Sequence, residues 1–198
     1  MVINGASGSG KSALLALFSG LYEEYEGKVK VNNLSIEMIQ LEKFRSMVGD
    51  CLETEQIFHG SIKENILVGR DFDSDQLDYL LELVDLKDYI YQLPADLDTI
   101  LMPEGKGLSR KLAQSILLAR AFLGDPKAII MEDSLSHLEE PMKTRVTEFI
   151  FSGNWTLVLI SHEEKVIARA SQVIFLEKGT LSYNGNFEGY KSFREKNS

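Results

Sequence analysis

A single cysteine, Cys51, among 198 residues excludes an intrachain disulfide and suits a reducing compartment. Long apolar runs are missing as well. No apolar run, Ala128 to Met131 and Thr156 to Ile160 included, is anywhere near long enough to cross a bilayer, and Met1 to Asn4 carries no signal-peptide pattern. Membrane association therefore has to come through a partner or through parts of the protein outside these residues. Nor is there an excess of positive charge. With 21 Lys and Arg against 30 Asp and Glu the formal net charge is -9, which argues against nucleic acid as the main partner, since phosphate backbones demand clustered cations. A solvated acidic surface explains that charge equally well. No internal repeat or low-complexity stretch stands out, and only the tail, from about Ser192, is expected to fray.

The composition, 44% hydrophobic and 26% charged, is that of an ordinary globular chain, long enough for one large domain or one domain with an inserted subdomain. Val2 and Ile3 end a strand, a Gly-rich turn follows, and a helix is expected from Lys11 to about Phe18. Lys28 to Val31 alternates and predicts a strand, while Gln76 to Val84 and Leu112 to Leu123 place apolar residues at helical spacing. Ala128 to Met131 and Thr156 to Ile160 are rich in branched apolar residues, as buried strands of a mostly parallel sheet are. Val173 to Leu176 and Thr180 to Tyr183 flank Lys178-Gly179, which predicts a closing hairpin. Strands alternating with helices give an α/β fold.

The sharpest local signal is Gly5-Ala6-Ser7-Gly8-Ser9-Gly10-Lys11-Ser12, a full P-loop pattern placed after a strand and opening a helix. Glycines let backbone N–H groups turn inward around phosphate oxygens, and the helix N-terminus adds a favourable dipole. Lys11 is placed to reach the β- and γ-phosphates and the Ser12 hydroxyl to ligate Mg²⁺; Ala13 completes the first turn of the binding segment. The bland alternative is a Gly/Ser-rich connector, which the strand and helix on either side argue against.

P-loops serve many enzymes, so the rest of the chain has to decide. Glu26-Gly27-Lys28-Val29 with Asn32-Asn33, Leu41 to Arg45, Phe58 to Ile66, Leu108-Ser109, Ala119-Arg120-Ala121, Pro126 to Glu139 and Ile160-Ser161-His162 follow one another in an order and at a spacing that resemble the ATP-binding cassette (ABC) family, exporter type. The resemblance implies a P-loop NTPase with a RecA-like core (1–62 and 124–198) and an inserted α-helical subdomain (63–123) carrying the signature segment. It also implies ATP and Mg²⁺ as ligands, and a head-to-tail pairing with a second nucleotide-binding domain, a copy or a different cassette. The transmembrane domain of an ABC transporter would be the other partner, at the cytoplasmic face of the cell membrane.

Departures from the family pattern carry their own expectations. The strands that usually precede the P-loop, with an aromatic residue stacking on adenine, are absent, so a fragment of a longer protein is expected. The Q-loop position falls on Glu53, which either ligates Mg²⁺ while adding negative charge beside the γ-phosphate, or simply faces solvent. The signature reads Leu108-Ser109-Arg110-Lys111-Leu112 in place of LSGGQ. Ser109 and the helix N-terminus behind it remain as γ-phosphate donors, whereas both glycines that permit close backbone approach are lost. Arg110 and Lys111 either compensate as cations or are solvated charges at a helix start. The Walker B strand ends Glu132-Asp133, inverting the family's Asp-Glu: Glu132 would support the Mg²⁺ shell and Asp133 would orient the attacking water. The alternative there is a structural acidic pair.

His162 matches the switch position, where an imidazole bonds the γ-phosphate and holds the water-orienting group, while His59 and His137 have weaker claims, His137 as a D-loop residue facing a partner subunit. Cys51 and Trp155 read as packing residues, and no His/Cys spacing suggests a metal other than Mg²⁺. The leading expectation is an ATPase domain of an exporter, with Asp133, His162 and Glu53 at the reaction. The rival is an ATP-holding module that does not turn over and pairs with a competent cassette. A cassette acting in DNA repair or on ribosomes fits less well, because Phe58 to Ile66 resembles exporters and the charge balance is acidic.

Overall fold

The computed structural model describes residues 1–22 and 24–197. In chain order the elements are β1 (Val2–Gly5), α1 (Lys11–Phe18), β2 (Lys30–Val31), β3 (Leu34–Ser35), α2 (Leu41–Arg45), β4 (Val48–Cys51), β5 (Gly60–Ser61), α3 (Ile62–Leu67), α4 (Ser74–Leu83) and α5 (Lys87–Tyr91). They continue with β6 (Ile100–Leu101), α6 (Arg110–Phe122), β7 (Ala128–Glu132), α7 (Met142–Ser152), β8 (Thr156–Ile160), α8 (Glu164–Ile167), β9 (Val173–Glu177), β10 (Thr180–Gly185) and α9 (Phe187–Lys196). Among the described residues one six-stranded sheet runs in the order β10-β9-β1-β8-β7-β4. Its pairs are parallel except for β10, which returns antiparallel on β9. This is the α/β architecture with a mostly parallel sheet that the strand and helix alternation predicts.

Side-chain alternation along the central strands splits the core into two layers. Val2, Ile129, Met131 and Leu159 meet Ile116, Leu118 and Phe122 of α6 on one face. Ile3, Ile130, Val158 and Ile160 meet Leu15 of α1 and Phe44 of α2 on the other. Strands covered on both faces have no polar side to show, which is why they are continuous apolar runs in the sequence. No helix among the described residues is long and apolar enough to cross a membrane.

Element ends follow their local chemistry. The helix expected from Gln76 starts at Ser74, because the Asp73 carboxylate accepts from the N–H groups of Asp75 and Gln76, both at 2.9 Å. The strand expected over Lys28 to Val31 shrinks to Lys30–Val31, since Asn32 and Asn33 both take positive φ (50° and 69°) and turn the chain back onto Leu34. The tail is more ordered than its composition suggests. The Asn186 side chain caps α9 by accepting from Gly189 N–H at 2.9 Å, Tyr190 is buried, and Phe193 stacks on Tyr183 with ring centroids 5.3 Å apart. The expected fraying from Ser192 is thereby corrected, because an apolar stripe on α9 packs against the closing hairpin; Ser198 lies outside the described residues. Cys51 is buried, and Trp155 donates to the Ile150 carbonyl at 2.9 Å beside Phe149, so both pack as expected.

Candidate functional site

Four neighbouring strands, β1, β8, β7 and β4, are parallel, so their carboxyl ends open on one edge of the sheet. The residues that follow them are the phosphate loop 5–12, Ser161-His162, Asp133 and Glu53 in turn. Ligand sites of open α/β sheets lie at that edge, in the crevice where successive connections leave on opposite sides.

The loop between β1 and α1 is held open by its glycines. Gly5 has φ 149°, and a Cβ there would stand 2.3 Å from the Leu176 carbonyl oxygen. Gly10 caps α1 in the left-handed region (φ 93°) and contributes no side-chain hydrogen bond. The first N–H groups of α1 are thus left without a side-chain cap, facing outward from a helix N-terminus suited to an anion. Lys11 Nζ folds back over the loop and donates to the carbonyls of Gly5 (2.9 Å) and Ala6 (2.8 Å). Ser9 N–H bonds Ala6 O and Gly179 N–H bonds Ser9 O, each at 3.2 Å, so the β9–β10 turn braces the loop. The Ser9 hydroxyl is buried without a partner. Ala6, Ser7, Gly8, Gly10, Ser12 and Ala13 are exposed, so the loop by itself does not enclose a ligand.

Two carboxylate positions meet here. Glu132 Oε2, at the end of β7, accepts from the backbone N–H of Glu53 at 3.1 Å, tying the segment after β4 to β7. The side chain of Glu53 itself is exposed. Asp133 leaves the strand in the left-handed region (φ 46°), with its N–H toward Ile160 O (3.3 Å) and its own carbonyl accepting from the Ser136 hydroxyl (2.9 Å). Glu132 therefore ends the strand and Asp133 begins the turn. His162 is exposed and lines a cavity of about 310 Å³ with Glu164, Phe187, Tyr190 and Arg194, beside α9.

The substituted signature is engaged within its own chain. The Ser109 hydroxyl caps α6 by accepting from Leu112 N–H at 3.2 Å. Arg110 Nη2 lies 3.0 Å from His137 Nε2, and Lys111 Nζ lies 3.7 Å from an Asp85 carboxylate oxygen. None of these residues is hydrogen-bonded to residues 5–13 among the described residues. A groove of about 1120 Å³ runs between α4, α5 and α7 past Lys111 and Arg145, and no phosphate-loop residue lines it.

Sequence reasoning missed the residues that brace this edge. Arg120 of α6 donates to Asn65 O (2.8 Å), Glu55 Oε2 (3.0 Å), Gln56 O (3.2 Å) and Asn65 Oδ1 (3.2 Å), and its guanidinium lies over the Phe58 ring. Asn65, fully buried, bonds both the N–H and the carbonyl of Phe58. Together they hold the stretch from Glu55 to Phe58, just beyond Glu53, against the helices. Burial, with Glu55 nearby, raises the Asp50 carboxyl to about 6. A local signal did exist at one point: Ser61-Ile62-Lys63-Glu64 is a capping box, with Ser61 N–H to Glu64 Oε2 at 2.7 Å and Glu64 N–H to Ser61 Oγ at 3.0 Å.

Comparison with known proteins gives this geometry a family. A multidrug resistance ABC transporter ATP-binding and permease protein of Lactococcus lactis subsp. cremoris is 30% identical over 186 residues, covering 91% of this chain and 31% of that protein. The transport/processing ATP-binding protein ComA of Streptococcus pneumoniae is 28% identical over 183 residues, covering 91% of this chain and 26% of that protein. This chain thus spans about a third or less of the length of such relatives. A bacterial Atm1-family ABC exporter solved with ATP bound shares the fold at TM-score 0.86 and 23% identity, over 99% of this chain and 36% of that one. The family model for ABC transporters matches residues 1–136, most of the chain, and this protein therefore belongs to the ABC transporter family.

Proposed function

We propose that this chain binds MgATP on the phosphate loop 5–12 and hydrolyses it to drive a membrane exporter. The observation that carries the reading is the uncapped N-terminus of α1 under a glycine-shaped loop, with Lys11 Nζ parked on the Gly5 and Ala6 carbonyls within the same loop. A γ-phosphate offers Lys11 a charged acceptor in place of two neutral carbonyls, so binding exchanges those bonds for stronger ones. The donor set of Ser12 hydroxyl, Glu132 and Glu53 carboxylates is hard oxygen, which suits Mg²⁺ completed by phosphate oxygens and water rather than by a protein cage. Bound there, Mg²⁺ supplies charge neutralisation of the phosphates. Asp133 is the group assigned to orient water, and His162 the group assigned to the γ-phosphate.

Because the loop is open to solvent, a second surface has to exclude water from the phosphates. A second nucleotide-binding domain fills that role, presenting its signature turn, and a transmembrane domain receives the motion at the cytoplasmic face. The working division is a core of 1–62 and 124–198 around a helical insert of 63–123; α3 begins at Ile62 and α6 ends at Phe122, near those limits.

The test is MgATP binding and steady-state hydrolysis on the full chain with Lys11→Ala as the blank. Turnover above the blank that disappears in Asp133→Asn while ATP stays bound is the expected result. Binding with no turnover would assign the chain to a nucleotide-holding role beside a competent cassette. No binding would overturn the reading.

A further inference from the structure

β1 and β8 run parallel only through Val2↔Leu159 and Ile3↔Ile160, whereas β1 stays paired with β9 as far as Gly5↔Leu176. Where β1 and β8 part, a side chain spans the crevice. Asn4, 4% exposed, donates from Nδ2 to the Ser161 carbonyl at 2.8 Å and accepts at Oδ1 from Gly5 N–H at 2.7 Å. Ser161 is buried too, so without Asn4 its carbonyl would be left without that donor, and a buried orphan of this kind is expensive. A strand interior between Ile3 and Gly5 would accept Val or Ile on packing grounds alone. A primary amide at this point serves polar bonding on both sides.

We propose that Asn4 is a positioning residue that couples occupancy of the phosphate loop to the placement of His162. The connection is continuous and short. Lys11 holds the Gly5 carbonyl, Gly5 N–H is held by Asn4, Asn4 holds the Ser161 carbonyl, and His162 is the next residue. When phosphate draws Lys11 away, the peptides that follow Gly5 and Ala6 lose an anchor, and Asn4, bonded to the Gly5 N–H, transmits the resulting shift across the crevice to the switch loop. The amide is suited to this, because its donor and acceptor are fixed in one plane and cannot adjust independently. This role rests on the nucleotide reading of the loop.

The experiment is a double-mutant cycle in MgATP affinity on the full chain: unsubstituted protein, Asn4→Val, His162→Ala and the combination, with Lys11→Ala as the blank. Asn4→Val is expected to weaken MgATP binding about 10-fold alone and less than about 2-fold when His162 is already alanine, since coupled residues are non-additive. Should Asn4→Val fold poorly, Asn4→Asp keeps the acceptor for Gly5 N–H, turns the donor to Ser161 into a charged acceptor that repels its carbonyl, and is read in the same cycle, where the added charge is common to both backgrounds. Equal factors in the two backgrounds, or no effect in either, would overturn the role of Asn4 while leaving the nucleotide site intact. Failure of the unsubstituted protein to bind above the blank would remove both.

Discussion

Replacing Arg120 with alanine should cost about 3 kcal/mol of stability, because one side chain holds two elements and a loop together. The guanidinium makes hydrogen bonds at 2.8, 3.0, 3.2 and 3.2 Å to Asn65 and the 55–56 stretch, and its side chain is only 12% exposed. Hydrogen bonds to charged groups are worth about 1.5–3 kcal/mol each, but they share one donor group and do not sum. Breaking a buried ion pair costs about 3–5 kcal/mol. Glu55, at 25% exposure, recovers part of that by rehydration, which sets the expectation at the lower end. Arg120→Lys should cost about 1–2 kcal/mol, as an ammonium keeps the charge near Glu55 but cannot span the same acceptors. Urea unfolding followed by circular dichroism measures both. Glu55→Gln should then cost less in the Arg120→Ala background than in the unsubstituted chain. A loss below about 1 kcal/mol for Arg120→Ala, or an unchanged Glu55→Gln effect, would refute the claim that this pair anchors the segment carrying Glu53.

Asp50 should make the fold less stable as pH rises. Its carboxyl is raised from 3.8 to about 6 in the folded chain, chiefly by burial, so the folded state binds the proton more tightly. The contribution is present below the unfolded value and is lost as pH rises through about 6, and Asp50→Asn should flatten that slope and stabilise the protein near neutrality by about 1–3 kcal/mol in thermal or urea unfolding. Gly49→Ala should destabilise by about 3 kcal/mol or more, because a Cβ at Gly49 would stand 1.9 Å from the Ala121 carbonyl oxygen where β4 crosses α6; a near-neutral unfolding midpoint would contradict that close approach. Cys51 should resist alkylation in the native state, since burial raises its thiol to about 11 and removes access, and should react at the rate of a free thiol only after unfolding; fast native modification would count against this packing.

Much of the fold was legible because its signals are local or periodic. The phosphate loop shows in its glycines and Lys11, the central strands in apolar runs that a sheet covered on both faces demands, and the closing hairpin in Lys178-Gly179. Helix starts were less legible where the cap lay outside the apolar period, as with Asp73 ahead of α4. The tail was misjudged because the stripe Tyr190 and Phe193 gains its value only against Phe175 and Tyr183 of the hairpin.

The site divides in the same way. Sequence alone put Gly5 to Ser12, Glu132, Asp133 and His162 at the ends of expected strands, whereas Glu53 was placed only by the family resemblance and the strand before it, β4, was not expected. Only the tertiary structure decided what those residues touch: Glu132 on the Glu53 amide, Arg110 on His137, Lys111 beside Asp85, and Asn4 between Gly5 and Ser161. Those contacts join positions as much as 157 residues apart. Spacing along a chain encodes backbone geometry, whereas the partner of a polar side chain is set by how the strands are ordered in space.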